Sequence, residues 1–201
     1  MRVLVFDTET GGLNPMEDSV LSLGAVAGDI TTGEIFETYE AYHRLDSLDD
    51  YHVAQGAIDV HGITPETAFR EGVSSEVLQD KLMDMHTTHK CSHIAGHNVT
   101  FDVEMMAYGV YDITPAQFRA NFGYRLVDTS PMLRLLSGME DVKTGQTLSQ
   151  AVKAFKINMT DFGKNKFHAA LFDSVCTFRL LHRFRQVLGN PDIAKLLICN
   201  D

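Results

Sequence analysis

The hydrophobic pattern at the start of the chain predicts three β-strands. Residues 2–6 (RVLVF) are nearly all apolar and β-prone, which is typical of a central strand buried on both faces. Residues 19–28 and 34–43 indicate two more strands. The polar segment from Asp29 to Gly33 lies between them and favours a turn. We therefore expect a hairpin packed beside the first strand.

The rest of the chain alternates helical and strand patterns. Thr64 and Pro65 predict a helix N-cap followed by proline at the first helical position. Apolar residues recur at helical spacing in residues 75–86. Thr147 and Gln150 predict a capping box. The remaining predicted elements are a strand at 93–98, a helix capped by Thr100 and ending near 109, a strand at 125–128, a helix to about 136, and a long helix from about 169 to 188. This order predicts an α/β mixed sheet flanked by helices, in one domain covering residues 1–201.

Bulk composition favours a compact protein in a reducing compartment. The chain has 201 residues, and 44% of them are hydrophobic, enough for a sizeable core. Cys91, Cys176 and Cys199 show no pairing pattern, which indicates free thiols. The apolar run at the N-terminus is too short for a signal peptide, and no stretch approaches a membrane span. We expect a cytoplasmic protein with no membrane partner.

The charge distribution is uneven. The net charge of −10 argues against a protein that wraps duplex nucleic acid. Residues 143–188, however, hold eight Lys/Arg and two acids, a net charge of +6 that leaves −16 for the remainder. This basic segment is either a local phosphate-facing surface or a solvated helix face. Its cations are Lys143, Lys153, Lys156, Lys164, Lys166, Arg179, Arg183 and Arg185.

Four carboxylates and one histidine fall in three short clusters, each where a strand or helix begins or ends. Asp7 and Glu9 lie two residues apart at a strand end, so their side chains point to the same side. Asp102 lies in the first turn of a predicted helix. His168 and Asp173 are five residues apart, which places Asp173 on the last helix and His168 at its entrance, after a loop rich in Gly, Asn and Lys.

Each cluster alone has an ordinary explanation: an acidic turn, an acid that stabilises a helix N-terminus, or a surface histidine. Together they favour a metal site, because four converging carboxylates repel one another unless cations offset their charge. Oxygen ligands favour Mg²⁺ or Mn²⁺ over zinc. Two such ions would suit phosphodiester hydrolysis, and a histidine is suited to take a proton from water.

The motifs DTETGGL, GHNVTFD and HAALFD resemble the three exonuclease motifs of the DEDD superfamily, 3′-to-5′ exonucleases with an RNase H-like fold, also called DnaQ-like. The position of His168 is similar to that of the DEDDh branch; the sibling branch would have Tyr where this chain has Ala169. His61-Gly62-Ile63-Thr64 resembles the HGIT segment of the family, and Val127-Asp128-Thr129 its VDT step. The resemblance covers roughly residues 2–188.

This resemblance implies a role for each site residue. Two Mg²⁺ ions, with Mn²⁺ able to substitute, would bind the carboxylates. Asp7 would bridge both ions, Glu9 and Asp173 would hold the ion that activates water, and Asp102 would support the other. His168 would be the general base. The implied substrate-binding residues are Thr10, Gly11, Leu13, His61, Ile63, Asn98 and Phe101, with Leu13 and Ile63 against the terminal bases and the backbone of Thr10 and Gly11 near the 3′ hydroxyl.

Two positions depart from the family pattern. Gly11 replaces the commoner Thr and is expected to loosen the loop at the substrate end. Ser174 follows Asp173 where the family often has Ala. Neither change removes a ligand. A separate group of His86, His89, Cys91 and His93 resembles zinc ligands, but its spacing fits no standard pair of dyads, so a connecting loop is the main interpretation.

The leading hypothesis is a metal-dependent exonuclease that acts on single-stranded DNA or RNA 3′ ends and releases nucleoside monophosphates. The alternatives are an oligoribonuclease-like enzyme for short RNA, a proofreading partner of a DNA polymerase, and a catalytically inactive nucleic-acid-binding module. A polymerase partner would usually need a docking segment, and only residues 189–201 follow the last predicted helix. A homodimer is also open. The presence of all five chemical residues disfavours the inactive module.

Overall fold

A mixed β-sheet forms the centre of the protein. The structure is a computed structural model that describes residues 1–137, 147–162 and 168–189. Within these residues the sheet has five strands in the order β3-β2-β1-β4-β5. The strands are β1 (Arg2–Thr10), β2 (Val20–Asp29), β3 (Glu34–Tyr42), β4 (His93–Gly96) and β5 (Leu126–Asp128). The first three strands pair antiparallel, whereas β4 runs parallel to β1 and β5 runs parallel to β4.

Helices cover both faces of this sheet. They are α1 (Gln55–His61), α2 (Pro65–Glu71), α3 (Ser75–Thr88), α4 (Val99–Gly109), α5 (Pro115–Phe122), α6 (Thr129–Ser137), α7 (Leu148–Ala154) and α8 (Ala170–Gly189). Short 3₁₀ turns occupy Leu48–Asp50 and Thr160–Phe162. In the described residues no helix is both long and apolar enough to span a membrane. The α/β class and the RNase H-like arrangement of antiparallel then parallel strands are as predicted.

The central strand β1 separates the core into two layers. Leu4 and Phe6 pack on the face covered by α3, α4 and α5. Val3 and Val5 pack on the opposite face, which α7 and α8 cover. The alternation follows from the two-residue period of a strand, and an apolar run suits β1 because both faces are buried. The same alternation continues through residues 7–9, and it decides which helix each site residue meets.

Most predicted elements are confirmed, with one wrong cap and two missed helices. The N-caps Thr64 and Thr147 are confirmed, the latter with its capping box. Thr100 is not the cap of α4, because the helix begins at Val99 and Asn98 takes the cap position in a left-handed conformation with φ 66°. Helices α1 and α5 were not expected. The predicted strand at 93–98 ends at Gly96.

Some predictions fall outside the described residues. The cations Lys143, Lys164 and Lys166 lie there, as do Cys199 and most of the loop expected before His168. Cys91 and Cys176 are described, and both are buried free thiols.

Candidate active site

Three carboxylates from two elements meet at the carboxyl-terminal end of β1. Oxygen atoms of Asp7, Glu9 and Asp173 lie within 4.8 Å of one another, and no other group of three potential metal ligands gathers in the described residues. Asp7 and Glu9 share the β1 face that Val3 and Val5 occupy, and this is the face covered by α8. Asp173 is in the first turn of α8. The predicted same-side placement of Asp7 and Glu9 therefore brings them to Asp173.

A close approach between β2 and α8 sets the position of Asp173. Gly24 pairs with Asp7 across the sheet, and a Cβ atom on Gly24 would lie 2.1 Å from the backbone of Ala170 and Leu171. The hydroxyl of Ser174 donates a 2.9 Å hydrogen bond to the Gly24 carbonyl oxygen. Glycine is needed here because the start of α8 rests directly on the strand. The family departure at Ser174 therefore has a structural role.

Asp102 reaches the site from the other face of the sheet. Its Oδ1 atom accepts hydrogen bonds from the backbone N–H of Thr8, at 2.9 Å, and from the Thr8 hydroxyl, at 2.8 Å. Thr8 lies between Asp7 and Glu9, so its side chain points toward α4, where Asp102 is in the first turn. Thr8 is a site residue that the sequence analysis missed. The two-residue strand period was the signal that could have identified it.

Burial raises the pKa of all four carboxyl groups, and repulsion by the other site carboxylates raises it further for Asp7 and Glu9. Burial is the largest cause for Asp7, whose pKa is raised well above its usual value, and the charges of Asp102, Asp173 and Glu9 add to it. Burial, with the charges of Asp173 and Asp102, raises the pKa of Glu9 to about 8. Burial raises the pKa of Asp102 to about 7, against the hydrogen bonds from Thr8. Burial raises the pKa of Asp173 to about 6. A cation among these groups would favour their charged forms.

His168 lies at the entrance to α8, as predicted. It is exposed, and its backbone is in the left-handed region with φ 68°. Its backbone N–H donates a 3.1 Å hydrogen bond to Oδ2 of Asp173. The charge of His168 contributes to lowering the pKa of His61, after burial as the larger cause, so the two imidazoles are neighbours. The imidazole of His168 therefore stands beside the carboxylates and is open to solvent.

His61 joins the end of β1 to the segment that follows α1. His61 donates from Nε2 to the Thr10 carbonyl oxygen at 3.2 Å and accepts the Ile63 N–H at Nδ1, at 3.0 Å. Leu13 is 86% exposed, whereas Ile63 is only 7% exposed and packs with Leu21 and Ala68. Leu13 thus exposes a large apolar surface, and Ile63 exposes little.

The expectation that Gly11 loosens the substrate loop is wrong. Its N–H donates to the Ser19 carbonyl oxygen at 2.7 Å, and its own carbonyl accepts the Ala54 N–H at 2.8 Å. A Cβ atom at this position would lie 2.0 Å from the carbonyl oxygen of His52. Gly11 is therefore a tightly packed position where the loop crosses a neighbouring segment.

Asn98 and Phe101 shape the start of α4. The backbone N–H of Asn98 donates to Asp128 Oδ1 at 2.8 Å, so the predicted VDT step anchors this turn to β5. Phe101 is half-buried against the core beneath α4. Asn98 is exposed at the site end of the sheet. Both residues position Asp102, and their contact with a substrate stays a prediction.

The four residues considered as zinc ligands do not form one site. His89 contacts Glu37 Oε2 through Nε2 at 2.7 Å, and Cys91 is buried in the core. The His86 ring packs edge-on against Phe122. His93 contacts the neighbouring Ser92 hydroxyl. The segment connects the end of α3 to β4, which is the main interpretation from the sequence.

The carboxylate cluster fits a hard divalent cation. The donors are all carboxylate oxygens, which Mg²⁺ and Mn²⁺ prefer. Oδ1 of Asp173 is buried and has no hydrogen-bond partner in the described part of the chain. A buried unpaired oxygen is costly unless something else binds it, so a cation at Asp7, Glu9 and Asp173 would satisfy the site.

Two relatives of similar sequence are a ribonuclease and a DNA polymerase. Ribonuclease T from Buchnera aphidicola subsp. Baizongia pistaciae is 28% identical over 202 residues, which cover 94% of this chain and 87% of that protein. DNA polymerase III PolC-type from Oceanobacillus iheyensis is 27% identical over 199 residues. That alignment covers 98% of this chain but 12% of the polymerase, so the chain spans a small part of that relative.

Solved structures show the same fold. Escherichia coli exonuclease I in complex with a dT13 oligonucleotide superposes with a TM-score of 0.76 at 20% identity. The match covers 97% of this chain and 43% of exonuclease I, so this chain spans less than half of that protein. The RNase_T exonuclease family matches residues 4–181, a span that includes every carboxylate of the site and His168. The chain therefore belongs to the RNase_T exonuclease family, the DnaQ-like group.

Proposed function

We propose that this protein is a metal-dependent 3′-to-5′ exonuclease that removes nucleoside monophosphates from DNA or RNA ends. The observation that carries the proposal is the convergence of Asp7, Glu9 and Asp173 at one end of β1, with a buried carboxylate oxygen left unpaired among the described residues. A carboxylate cluster of this kind is costly in the absence of cations, so a purely structural role would not maintain it. Membership of the exonuclease family supports the same reaction class.

Two Mg²⁺ ions, or Mn²⁺ in their place, fit this donor set. Asp7 would contact both ions, Glu9 and Asp173 would share one, and Asp102 would support the other. When bound, such a pair activates water on one side of a phosphate and stabilises the leaving oxygen on the other. Asp102 is held for this role by Thr8, which engages only one of its two oxygens among the hydrogen bonds described. Oδ2 of Asp173 is oriented by the His168 N–H, and its buried Oδ1 has no hydrogen-bond partner among the described residues.

His168 acts as the general base in this proposal. Its imidazole is solvent-exposed and flanks Asp173, so a water molecule can reach both the ring and the carboxylates. The backbone hydrogen bond to Asp173 fixes the main chain while leaving the side chain to rotate. A histidine titrates near neutral pH and can accept the proton of the attacking water.

The substrate end is expected to lie between the Leu13 loop and the start of α4. The exposed Leu13 side chain would pack against the terminal base, with Ile63 giving a small buried edge. His61 fixes the carbonyl of Thr10, and Thr10 with Gly11 would meet the 3′ hydroxyl. Asn98 and Phe101 would border the other side. The contacts of these residues with a substrate are part of the proposal.

Single-stranded ends are the favoured substrate. The exonuclease I structure with a dT13 oligonucleotide supports single-stranded DNA, and the similarity to ribonuclease T supports RNA. The negative charge of this protein opposes the binding of a short strand less than that of a long duplex. An oligoribonuclease-like enzyme therefore stays an alternative. The similarity to a segment of PolC-type polymerase supports a proofreading role with a polymerase partner as a second candidate.

A polarity assay tests the proposal. Single-stranded DNA, duplex DNA and RNA, each labelled at either the 3′ or the 5′ end, are incubated with Mg²⁺. We expect immediate release of labelled mononucleotide from 3′-labelled strands and a ladder of shortening products from 5′-labelled strands. A covalently closed circular strand should remain intact. Nicking of the circle, or mononucleotide release first from 5′ labels, would contradict the proposal. The preferred strand type separates the DNA and RNA alternatives.

A further inference from the structure

A second cleft lies at the end of the sheet opposite the carboxylates. It has a volume of about 520 Å³ and is bordered by the turn after β2, the residues after α7, and the middle of α8. Arg2 pairs with Asp29, so this turn lies beside the start of β1, whereas Asp7 and Glu9 lie near its end. Asp173 and Arg183 are ten residues apart on α8, about 15 Å along the helix. The cleft is thus separate from the candidate active site.

The lining of this cleft is basic in an otherwise acidic protein. Lys156, Arg179 and Arg183 border it, and Asp161 is the single acid among its described lining residues. Asp161 accepts hydrogen bonds from Arg179 at 2.8 and 2.5 Å, which neutralises one of the three cations. The described lining therefore carries an excess of two positive charges. The volume falls within the range of about 300 to 1,000 Å³ that small-ligand sites occupy.

Arg183 makes few hydrogen bonds within the described residues. Its Nε atom is buried and has no hydrogen-bond partner in the described residues. Its Nη1 atom makes one long contact, 3.3 Å, to Gln186 Oε1. Gln186 donates its amide to His182 Nε2 at 2.9 Å, and His182 Nδ1 donates to the Ile30 carbonyl oxygen at 2.8 Å. Both nitrogens of His182 are therefore engaged within the protein, whereas the terminal nitrogens of Arg183 make only the Gln186 contact among the described residues.

The chemistry of these groups selects an anion that can accept several hydrogen bonds. A guanidinium binds phosphate oxygens in a planar fork, and a lysine adds a mobile charge. Asn158 and Thr160 border the same cleft with polar side chains. The turn between β2 and β3 borders the cleft on the other side. Gly33 in this turn has φ +82°, and its lack of a Cβ atom leaves room for the His182 ring.

We propose that the cleft formed by Lys156, Arg179 and Arg183 is a second phosphate-binding site, distinct from the catalytic carboxylates. The phosphate belongs either to a nucleic-acid strand that extends past the catalytic end or to a free nucleoside monophosphate. The choice of these two sources rests on the proposed exonuclease function. The anion-binding chemistry of the cleft does not depend on it.

Binding to catalytically disabled protein tests this site. In the Asp7→Asn background we measure fluorescence anisotropy of a 5′-labelled 12-nucleotide oligothymidylate and of a dinucleotide that is too short to span both sites. If a strand occupies the cleft, Arg183→Gln and Lys156→Gln should each weaken 12-mer binding several-fold and leave dinucleotide binding unchanged. The slope of log binding constant against log salt concentration should fall in magnitude by about 0.7 for each phosphate that the variant no longer neutralises.

A second arm tests the free nucleotide. Thymidine monophosphate should raise the melting temperature of the Asp7→Asn protein, and Arg183→Gln should abolish that increase while 12-mer binding stays the same. Arg185→Gln and Lys153→Gln are matched controls, because each removes one charge from an exposed position that does not border the cleft. Arg183→Lys keeps the charge and should retain most of the binding, which separates loss of charge from loss of packing.

The inference is overturned if the cleft variants change neither 12-mer binding nor the nucleotide-induced stabilisation by more than the control variants do. Hydrolysis by the wild-type protein is measured in parallel on the same oligonucleotide. A wild type that hydrolyses the strand, with cleft variants that bind normally, would refute the second site alone. A wild type without hydrolysis, with cleft variants that bind weakly, would refute the exonuclease function alone.

Discussion

The backbone N–H of His168 donates a 3.1 Å hydrogen bond to Oδ2 of Asp173. The two residues are five positions apart, and His168 adopts φ 68° so that the chain can turn back over the first turn of α8. One carboxylate oxygen of Asp173 is thereby oriented by the main chain, and the other is left without a protein partner in the described residues. The same turn leaves the His168 side chain exposed at the mouth of the site.

His168→Asn should remove most of the hydrolytic rate. Wild-type activity should rise with pH through the range of histidine titration and then level off, because only neutral imidazole accepts a proton. A general base contributes about 10²- to 10⁴-fold, so we expect a loss of that order together with loss of the rising limb. The measurement is the pH profile of single-turnover hydrolysis.

Asparagine is the matched substitution at position 168 because it tolerates the left-handed backbone that this residue adopts. The variant should keep the main-chain bond to Asp173 and bind Mg²⁺ as the wild type does. A variant with reduced rate but an unchanged pH profile would place the general base elsewhere.

Asp173→Asn should abolish hydrolysis without destabilising the metal-free protein. The substitution removes one charge from a repelling cluster, and its amide can donate to the neighbouring carboxylates. We expect the melting temperature in EDTA at pH 8 to stay equal or rise. The increase that Mg²⁺ gives the wild type should be lost. A clear drop in melting temperature in EDTA would make Asp173 a structural residue.

Thr8→Val should weaken the site through Asp102. The substitution keeps the side-chain shape but removes the hydroxyl that donates to Asp102 Oδ1 at 2.8 Å. Losing one donor to a buried carboxylate costs about 1 to 3 kcal/mol. We expect lower stability by chemical denaturation and several-fold weaker Mg²⁺ binding by calorimetry. Thr8→Ser retains the hydroxyl and should behave like the wild type. A loss in Thr8→Ser as large as that in Thr8→Val would contradict a specific role for the hydroxyl hydrogen bond.

The metal-free protein should lose stability as pH rises. Glu9 and Asp102 have folded-state pKa values of about 8 and about 7, above ordinary values of 4.5 and 3.8, so the folded state retains protons that the unfolded state releases. This contribution is complete below the unfolded-state pKa and is lost as pH passes through 7 to 8. We expect the melting temperature in EDTA to fall between pH 6.5 and 8.5.

Added Mg²⁺ should oppose that decline, since it binds the charged carboxylates and stabilises the folded protein most at high pH. Glu9→Gln should flatten the dependence in EDTA. Titration of His43 does not affect this measurement, which is made above pH 6.5. Burial lowers the pKa of His43, so this residue reduces stability only when the pH falls below its unfolded-state pKa. A wild-type melting temperature that does not change with pH in EDTA, or a Glu9→Gln variant with the same pH dependence as the wild type, would contradict proton retention by these buried carboxyl groups.

Local patterns predicted the elements that carry the chemistry. The apolar run before Asp7 predicted β1, and the i, i+2 spacing placed Asp7 and Glu9 on one side. The five-residue spacing predicted His168 at the helix entrance. Helix α5 was missed although Thr114 and Gln117 form a capping box before it, the same signal that was used at Thr147.

Contacts between distant residues could not be predicted in this way. The hydrogen bonds between Thr8 and Asp102 join positions 94 residues apart, and the contact of Gly24 with α8 depends on how a helix rests on the sheet. The cap of α4 was assigned to Thr100, because the sequence does not reveal that Asn98 adopts a left-handed backbone. Tertiary packing determines these features, and local sequence propensity does not.

Hydrolysis by wild-type protein and by the Asp7→Asn variant, each with Mg²⁺ and with EDTA, tests the central claim most directly. Stepwise shortening of a 5′-labelled single strand is measured by gel, and circular dichroism confirms that both proteins are folded. We predict shortening by the wild type in Mg²⁺, none in EDTA, and none by folded Asp7→Asn in either condition. Shortening in EDTA, or hydrolysis retained by Asp7→Asn, would contradict catalysis by cations held at these carboxylates.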